Sequence, residues 1–349
     1  MDRQRIAAFL ERFVGYASGA TTIGLLTVAD RSGLLSWLGE HPSGTSAVIA
    51  AGADLDERYV REILSGLAAA GAVDYDPESE TFTLPAEHAL FLSDPSSPYF
   101  MGGWMDMIPS LFSQIDGVAH ATRHGGGVGF EEFGTAIIRG IDRGNSPSQN
   151  VFLVTRWLPA VPGLVDQLNG GIRVADVGCG SGTAAILIAE TFPSSRVTGF
   201  DVSEDSLRVA RSRANTTPNV TFEDYRADGI PLEPPFELIT AFDVIHDLAD
   251  PLAGLTHIRE ALAPDGRFLM MEPNVSTHLE NNLTDHGALI YGVSTLHCMT
   301  QSLAVGGAGL GAAWGTEMAE DYAKRAGFSS FRQLEEITNK FSSFYLLEA

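Results

Sequence analysis

"VADVGCGSGTAAILIAE" fills Val174 to Glu190: an apolar run, three alternating glycines, then apolar residues resuming at helical spacing. A strand that stops at a glycine turn and continues as a helix is the opening unit of an α/β sheet. From Gly171 onward the text keeps that rhythm. "IRVADVGCG" reads as strand, "GTAAILIAETFP" as helix, "RVTGFDV" as strand and "EDSLRVARSRANTT" as helix. Strands "VTFEDYRAD" and "FELITAFDVIH", helix "LTHIREALAPDG" and strand "RFLMMEP" follow. The chain closes with helix "TEMAEDYAKRAGF" and a hairpin of "FRQLEEI" and "KFSSFYLLEA" around Thr338 and Asn339. The pattern predicts an α/β fold with a doubly wound, mostly parallel seven-stranded sheet whose last two strands are antiparallel.

In such sheets a ligand sits beyond the carboxyl ends of the strands, where glycines let the backbone approach it. Gly178, Gly180 and Gly182 meet that condition. Their spacing is GxGxG with Thr183 next, whereas a dinucleotide turn is GxGxxG and brings a helix N-terminus to a pyrophosphate. A ligand without phosphates fits better. Asp201 ends the second strand nineteen residues after Gly182 and can accept hydrogen bonds from both ribose hydroxyls, which makes the ligand a nucleoside. Asp228, in "RADGIPL", can accept from an adenine amine or can cap a helix. "GGAGLG" at Gly306 to Gly311 follows no strand and reads as a loop or helix-packing segment.

Upstream, residues 4 to 18 form an amphipathic helical pattern carrying Ile6, Phe9, Leu10, Phe13, Val14 and Ala17 on one side, with a second apolar segment from Thr21 to Val28. Both segments read as facing a core or a partner. "TSAVIAAGADLDERYVREILSGLAAAGAVDYDPESETFTL" then reads helix, turn, helix and two short strands joined by Asp76 to Glu80, the order of a winged helix. Its charge opposes DNA: Arg58 and Arg61 are the only arginine or lysine residues between Glu40 and Asp94. A structural or dimerising role suits it better.

Bulk properties narrow the function classes. With 44 Asp and Glu against 22 Lys and Arg the net charge is −22, which disfavours nucleic acid and anionic membrane surfaces as partners. Two cysteines, Cys179 and Cys298, form no disulfide framework and no zinc-ligand spacing, so no metal is expected. No signal peptide pattern or membrane-length apolar run is present, and the expectation is a soluble, cytoplasmic protein. At 349 residues, against roughly 150 per domain, two cores are expected. The boundaries read as 1–97 for the helical winged-helix domain, 98–160 for a helical connector and 161–349 for the sheet domain.

"VADVGCGSG", "FDVSEDSL", "RADGIPL", "FDVIHDLADP" and "LAPDGRFLMMEP" resemble the successive motifs of class I S-adenosylmethionine-dependent methyltransferases, from about Gly171 to the end. With a winged helix ahead of the Rossmann-like methyltransferase sheet, the chain resembles the small-molecule O-methyltransferases of plants and bacteria, in particular an actinobacterial group. The resemblance implies S-adenosylmethionine as cofactor and S-adenosylhomocysteine as product. It implies that Gly178, Cys179, Gly180 and neighbouring backbone hold the methionine part, Asp201 the ribose, Val202 the adenine face, and Asp228 with Gly229 the adenine edge. Asp176 would act through backbone or water, and Phe242 would flank the cofactor.

Methyl transfer to a hydroxyl requires alignment of the acceptor and removal of a proton. His246 in "IHDLADP", directly after the fourth strand, resembles the histidine of the plant "HDW" motif, with Leu248 in place of the tryptophan. It is either the general base or a residue that shapes the cofactor pocket. Asp247 or Asp250 can orient its imidazole, while capping of the next helix suits Asp250 better. Asn274 to Gly315 is too long for an ordinary connection, and "LIYGVSTLHCMTQSL" within it has helical spacing. In related methyltransferases this insertion lines the acceptor pocket. Tyr291, His297 and Cys298 are then candidates to face the acceptor, His297 being the second base candidate and Cys298 alternatively a small buried hydrophobe.

Phe100, Trp104 and Met105 in "YFMGGWMDMIPSLF", and Phe130 beyond "RHGGGVG", would add an apolar wall suited to a flat aromatic acceptor, or simply pack between domains. The expectation is methyl transfer to a small aromatic metabolite, at oxygen or at nitrogen or carbon of a heterocycle such as an indole. A cofactor-sensing winged-helix regulator and a non-methylating cyclase are the alternatives. The amphipathic first helix points to a homodimer.

Overall fold

The computed structural model describes residues 1–230 and 235–349. It divides into two units, Met1–Pro109 with Arg139–Pro147, and Ser110–Ile138 with Ser148–Ala349.

The first unit opens with α1 (Arg3–Arg31), α2 (Leu34–Glu40), β1 (Ser43–Thr45), α3 (Ser46–Ala53), α4 (Glu57–Ala69), β2 (Asp74–Asp76), β3 (Thr81–Thr83) and α5 (Ala86–Leu92). The two N-terminal apolar segments are one helix, because nothing at Ser18 or Gly19 breaks it. Asp2 starts it by accepting from the N–H of Gln4 at 2.9 Å. Leu26 and Ala29 near its end join a core with Leu34, Leu38, Ile49, Leu64 and Leu67. By contrast Ile6, Phe9, Leu10, Phe13 and Val14 are exposed and join no hydrophobic core among the described residues. In α4 the residues Val60, Ile63, Leu64 and Leu67 recur at three- and four-residue spacing and are all buried. The three strands pair antiparallel in the order β1-β3-β2, completing the wing.

Next come α6 (Gly102–Ser113), α7 (Ile115–His124), α8 (Gly134–Phe152) and α9 (Leu164–Gly170). Within the first unit, Asp106 is buried and bonded by Arg139 and Arg143 from α8 and Arg31 from α1. Arg143 also grips Asp30 at 2.9 Å, tying α8 to α1.

The second unit holds β4 (Arg173–Val177), α10 (Thr183–Thr191), β5 (Arg196–Asp201), α11 (Glu204–Arg213), β6 (Val220–Asp224), β7 (Phe236–Phe242), α12 (Pro251–Ala261) and β8 (Leu262–Pro273). After them come α13 (Asp285–Val293), α14 (Met299–Ala304), α15 (Gly315–Arg325), β9 (Ser330–Gln333) and β10 (Ser342–Glu348). The seven strands lie in the order β6-β5-β4-β7-β8-β10-β9. β4 to β8 run parallel, and β10 pairs antiparallel with both β8 and β9. Alternation along the strands feeds two cores. Leu269 and Met271 of β8 pack with Trp157, Leu168, Ile188 and Leu207 on one face. Phe268 and Met270 pack with Leu255, Ile258 and Ala323 on the other. Strand order reverses at β4, which has β5 on one side and β7 on the other, so the crevice for a ligand lies beyond the carboxyl ends of these three strands.

Candidate functional site

The turn after β4 is the first wall of that crevice. Gly178 and Gly182 hold φ of +66° and +82°, where a side chain is strained, and a Cβ on Gly178 would meet Val244 at 2.4 Å. Backbone N–H groups of Gly178 and Cys179 donate to the carbonyl of Phe200 at 2.7 and 3.0 Å, clamping the turn to the end of β5. Asp201, ending β5, accepts from the N–H of Gly180 and of Ser203, each at 2.8 Å and one on each oxygen. A carboxylate offers about four lone-pair positions, so about half remain for hydroxyl donors. Burial pushes its pKa up, against the hydrogen bonds from Ser203 and Gly180. Val202 beside it is 65% exposed and offers an apolar platform. A two-hydroxyl acceptor next to an apolar platform and a glycine turn fits a nucleoside.

Other expected cofactor residues are placed as follows. Asp176 is buried in β4 and accepts from the Thr240 hydroxyl at 2.7 Å. Burial drives its carboxyl up to about 7. Asp228 is exposed, accepts from Arg226 Nε at 3.2 Å, and caps no helix among the described residues. Gly229 is exposed beside it, while Pro231 and Leu232 of the same motif lie outside the described residues. Phe242 is buried and packs on Trp157, ring centroids 5.7 Å apart.

The second wall follows β7. Asp243 sits at φ +58°, uncommon for a residue with a side chain, and its N–H donates to Met271 on β8 at 2.9 Å. The next turn presents His246, which is 3% exposed. Its Nδ1 lies 2.5 Å from Glu272 Oε2 near the end of β8. Glu272 is itself fixed, by the N–H of Ile245 on Oε1 at 2.9 Å and by Trp314 Nε1 on Oε2 at 3.0 Å. His246 Nε2 faces Asp247 Oδ1 at 3.3 Å. That approach is off-line, because Oδ1 has no hydrogen-bond partner although it is buried. Burial disfavours the charged ring, but the charges of Glu272 and Asp247 outweigh it and hold the pKa of His246 well above the usual range. Asp250 caps α12, accepting from the Ala253 N–H at 2.9 Å, as its position before the helix predicts.

The long insertion after β8 supplies the third wall. Between α13 and α14 the chain takes a π-helical turn over Ser294–Cys298, a widening that is frequent at functional sites. His297 and Cys298 are both buried there. His297 stands edge-on to Phe133 and Phe130 with centroids 4.9 and 5.9 Å away, and its Nε2 has no partner among the described residues. Burial lowers its pKa, favouring the neutral ring. The Cys298 thiol is pushed up to about 12, by burial first and then by the charge of Asp247. Tyr291 is half-buried, and its hydroxyl lies 3.4 Å from Asn282 Nδ2. The "GGAGLG" segment is a loop, as expected, and it backs onto the turn that carries His246. Ala308 donates to the Ala249 carbonyl at 2.8 Å and Gly311 to that of His246 at 3.3 Å.

Phe100, Trp104 and Met105 belong to the first unit, where Phe100 and Met105 are buried and Met105 joins the hydrophobic core. Sequence reasoning missed Glu272, Trp314 and Phe133. A signal existed for Glu272: it is the one acid in the otherwise apolar end of "RFLMMEP", with no basic neighbour closer than Arg267.

Residues 168–324 match a family model described as a methyltransferase domain, and residues 19–94 one described as an Rv2258c-like winged HTH domain. The ubiquinone biosynthesis O-methyltransferase of Idiomarina loihiensis is 31% identical over 35% of this chain and 52% of its own length. Trans-aconitate 2-methyltransferase of Methylobacterium nodulans is 32% identical over 29% of this chain and 38% of its own. The chain thus spans about a third to a half of these curated relatives. Human N-acetylserotonin methyltransferase, solved in complex with SAM, shares the fold over 100% of this chain and 98% of its own at a TM-score of 0.71 and 18% identity. Residues 168–324 are therefore a methyltransferase domain, preceded over residues 19–94 by an Rv2258c-like winged helix-turn-helix domain.

Proposed function

We propose that this protein transfers a methyl group from S-adenosylmethionine to an oxygen of a small aromatic acceptor. The observation that carries the reading is the meeting of two turns at the carboxyl end of the sheet, where Gly178 packs directly on Val244, two residues before His246. Gly178, Gly180, Asp201 and Val202 would hold the cofactor, Asp201 through its free lone pairs and Val202 through its exposed side chain. When bound, the cofactor supplies an activated methyl group on a sulfonium. What remains for the protein is to orient the acceptor, exclude water and take a proton.

In its neutral form, with Nε2 free of its proton, His246 takes that proton; the neighbouring carboxylates that raise its pKa make the ring a stronger base while reducing the fraction in that form. Glu272 accepts from Nδ1, which fixes the tautomer and stabilises the imidazolium that forms, the division of labour of a histidine–carboxylate pair. Phe130, Phe133 and His297, whose rings meet edge-on, would supply an aromatic wall suited to a flat ring, with Tyr291 a further candidate from α13. Oxygen as the acceptor atom is supported by the name of the Idiomarina relative, an O-methyltransferase.

The working form is a homodimer. The exposed face of α1, with Ile6, Phe9, Leu10, Phe13 and Val14, is suited to an isologous interface. A DNA-binding role for the winged helix is disfavoured, because Arg58 and Arg61 on α4 are each paired with a glutamate of the same helix. Both cysteines are free, in keeping with the reducing cytoplasm. No described helix is long and apolar enough to cross a membrane.

Incubation with methyl-labelled S-adenosylmethionine and a panel of phenols, hydroxyindoles and quinols tests the reading. Label is expected in an O-methyl product of one class. Cofactor binding by calorimetry with no label in any acceptor would count against it.

A further inference from the structure

A ring nitrogen of His246, a carboxylate oxygen of Asp247 and Cys298 Sγ lie within 4.8 Å of one another, and His246 Nε2, the nitrogen not taken by Glu272, faces Asp247 Oδ1 at 3.3 Å. From these three atoms we infer a binding site for one thiophilic divalent cation of the zinc class, with a fourth coordination position left open. The donor set of imidazole, carboxylate and thiolate is the kind that zinc takes, and three protein ligands with one open position is the arrangement of reactive rather than structural zinc.

Geometry supports the site. Zinc holds nitrogen and oxygen ligands at about 2.0 Å, which sets a tetrahedral N–O edge of roughly 3.3 Å. The His246 Nε2 to Asp247 Oδ1 distance is already 3.3 Å. Zinc–sulfur bonds of about 2.3 Å set edges of roughly 3.6 Å, so Cys298 Sγ needs to draw in by about 1.2 Å at most from its separation of 4.8 Å or less. The thiol already interacts with both other ligands.

The surroundings are those of a prepared ligand. A metal-binding histidine nearly always donates its other ring N–H to a carboxylate, carbonyl or water, and Glu272, held by Ile245 and Trp314, accepts from Nδ1 at 2.5 Å. Asp247 Oδ1 is buried with no hydrogen bond to satisfy it. Asp243, Asp247 and Glu272 gather three carboxyls around one imidazole, and among the described residues no arginine or lysine forms an ion pair with them. A dication answers that surplus of acid. The π-helical turn brings in Cys298, 51 residues beyond Asp247, a spacing with no zinc signature in the sequence.

As the metal binds, the Cys298 thiol and the His246 imidazolium each release a proton to solvent, the sulfur binding as thiolate and Nε2 giving its lone pair to the cation. The occupied site therefore cannot take a proton from an acceptor, and zinc blocks methyl transfer. That last consequence rests on His246 being the base; the site itself does not.

The test uses the full-length, untagged protein stripped with chelator and titrated with Co²⁺, whose thiolate ligation gives a near-ultraviolet sulfur-to-metal band. One Co²⁺ per chain with that band is expected, displaced by Zn²⁺. Cys298→Ser should abolish the band. Glu272→Gln should keep it and weaken binding by about 10- to 100-fold, the usual effect of losing such a supporting carboxylate. Absence of the band in the unaltered protein overturns the proposal without recourse to any variant. So does binding that survives Cys298→Ser but is lost in His124→Ala, which would put the cation on the exposed His120–His124 pair of α7. Activity is read separately: Co²⁺ binding at Cys298 without inhibition would retain the site and remove His246 as the base.

Discussion

Gly178 and Val244 stand so close that a Cβ on the glycine would come within 2.4 Å of a valine methyl. The turn that shapes the cofactor side of the crevice and the turn that carries His246 are thus in direct contact. Gly178→Ala must shift one of them and also bear a left-handed backbone, at about 1–2 kcal/mol for that strain alone. We expect cofactor affinity to fall by about tenfold or more, equivalent to roughly 1.4 kcal/mol. Calorimetry with S-adenosylhomocysteine measures this, and an unchanged Kd would detach the turn from cofactor binding.

Glu272→Gln keeps the shape of the side chain but removes the charge that stabilises imidazolium at His246. We expect kcat to drop by roughly 10²-fold, the lower range for general-base assistance, with cofactor affinity nearly constant. His246→Ala should cost as much or more. Steady-state kinetics on both variants decides the matter, since losses under about tenfold would leave positioning as the whole contribution.

Asp176 is a buried acid whose pKa stands raised, from 3.8 to about 7. Its contribution to stability is fully present below the unfolded value and is lost as pH rises through about 7, because the unfolded chain releases the proton first. Asp176→Asn cannot ionise and keeps an acceptor for the Thr240 hydroxyl. Urea denaturation should show the variant gaining on the parent between about pH 4 and pH 7 and levelling off above that, by a few kcal/mol at most. Parallel pH profiles for the two proteins would contradict this.

The exposed apolar face of α1 sets the fourth expectation. Phe9→Glu combined with Phe13→Glu should convert a dimer to a monomer without loss of helix content, because neither ring is buried in the chain itself. Sedimentation equilibrium reads the mass. A parent protein that is already monomeric would require another partner for this face.

What could be read from the sequence was local. Strand and helix alternation, the glycine turn, Asp201 at the end of its strand and Asp250 as a helix cap all depend on residues within about one turn of each other, and the folded chain places them as read. The environment of His246 was hidden because it is assembled from afar: Glu272 is 26 residues away, and Trp314 lies 42 residues beyond Glu272. Phe100 and Met105 are buried in the first unit, and composition alone does not separate a pocket wall from packing, since apolar residues fill both on the same terms. The continuity of α1 through Ser18 and Gly19 was equally invisible, since a single glycine costs a helix only about 1 kcal/mol against alanine.

The π-helical turn at Ser294–Cys298 also makes chain length itself a variable. Each residue in an α-helix advances the rotation by about 100°. Deleting one residue from this turn would restore a regular helix, and it would bring a different side chain to the place Cys298 holds beside His246 and Asp247. Substitution can therefore tune this wall of the crevice, whereas insertion or deletion would re-index it. Variation among relatives with this arrangement should accordingly preserve residue number between Asp285 and Ala304 more strictly than residue identity, and libraries aimed at acceptor choice are best built at fixed length.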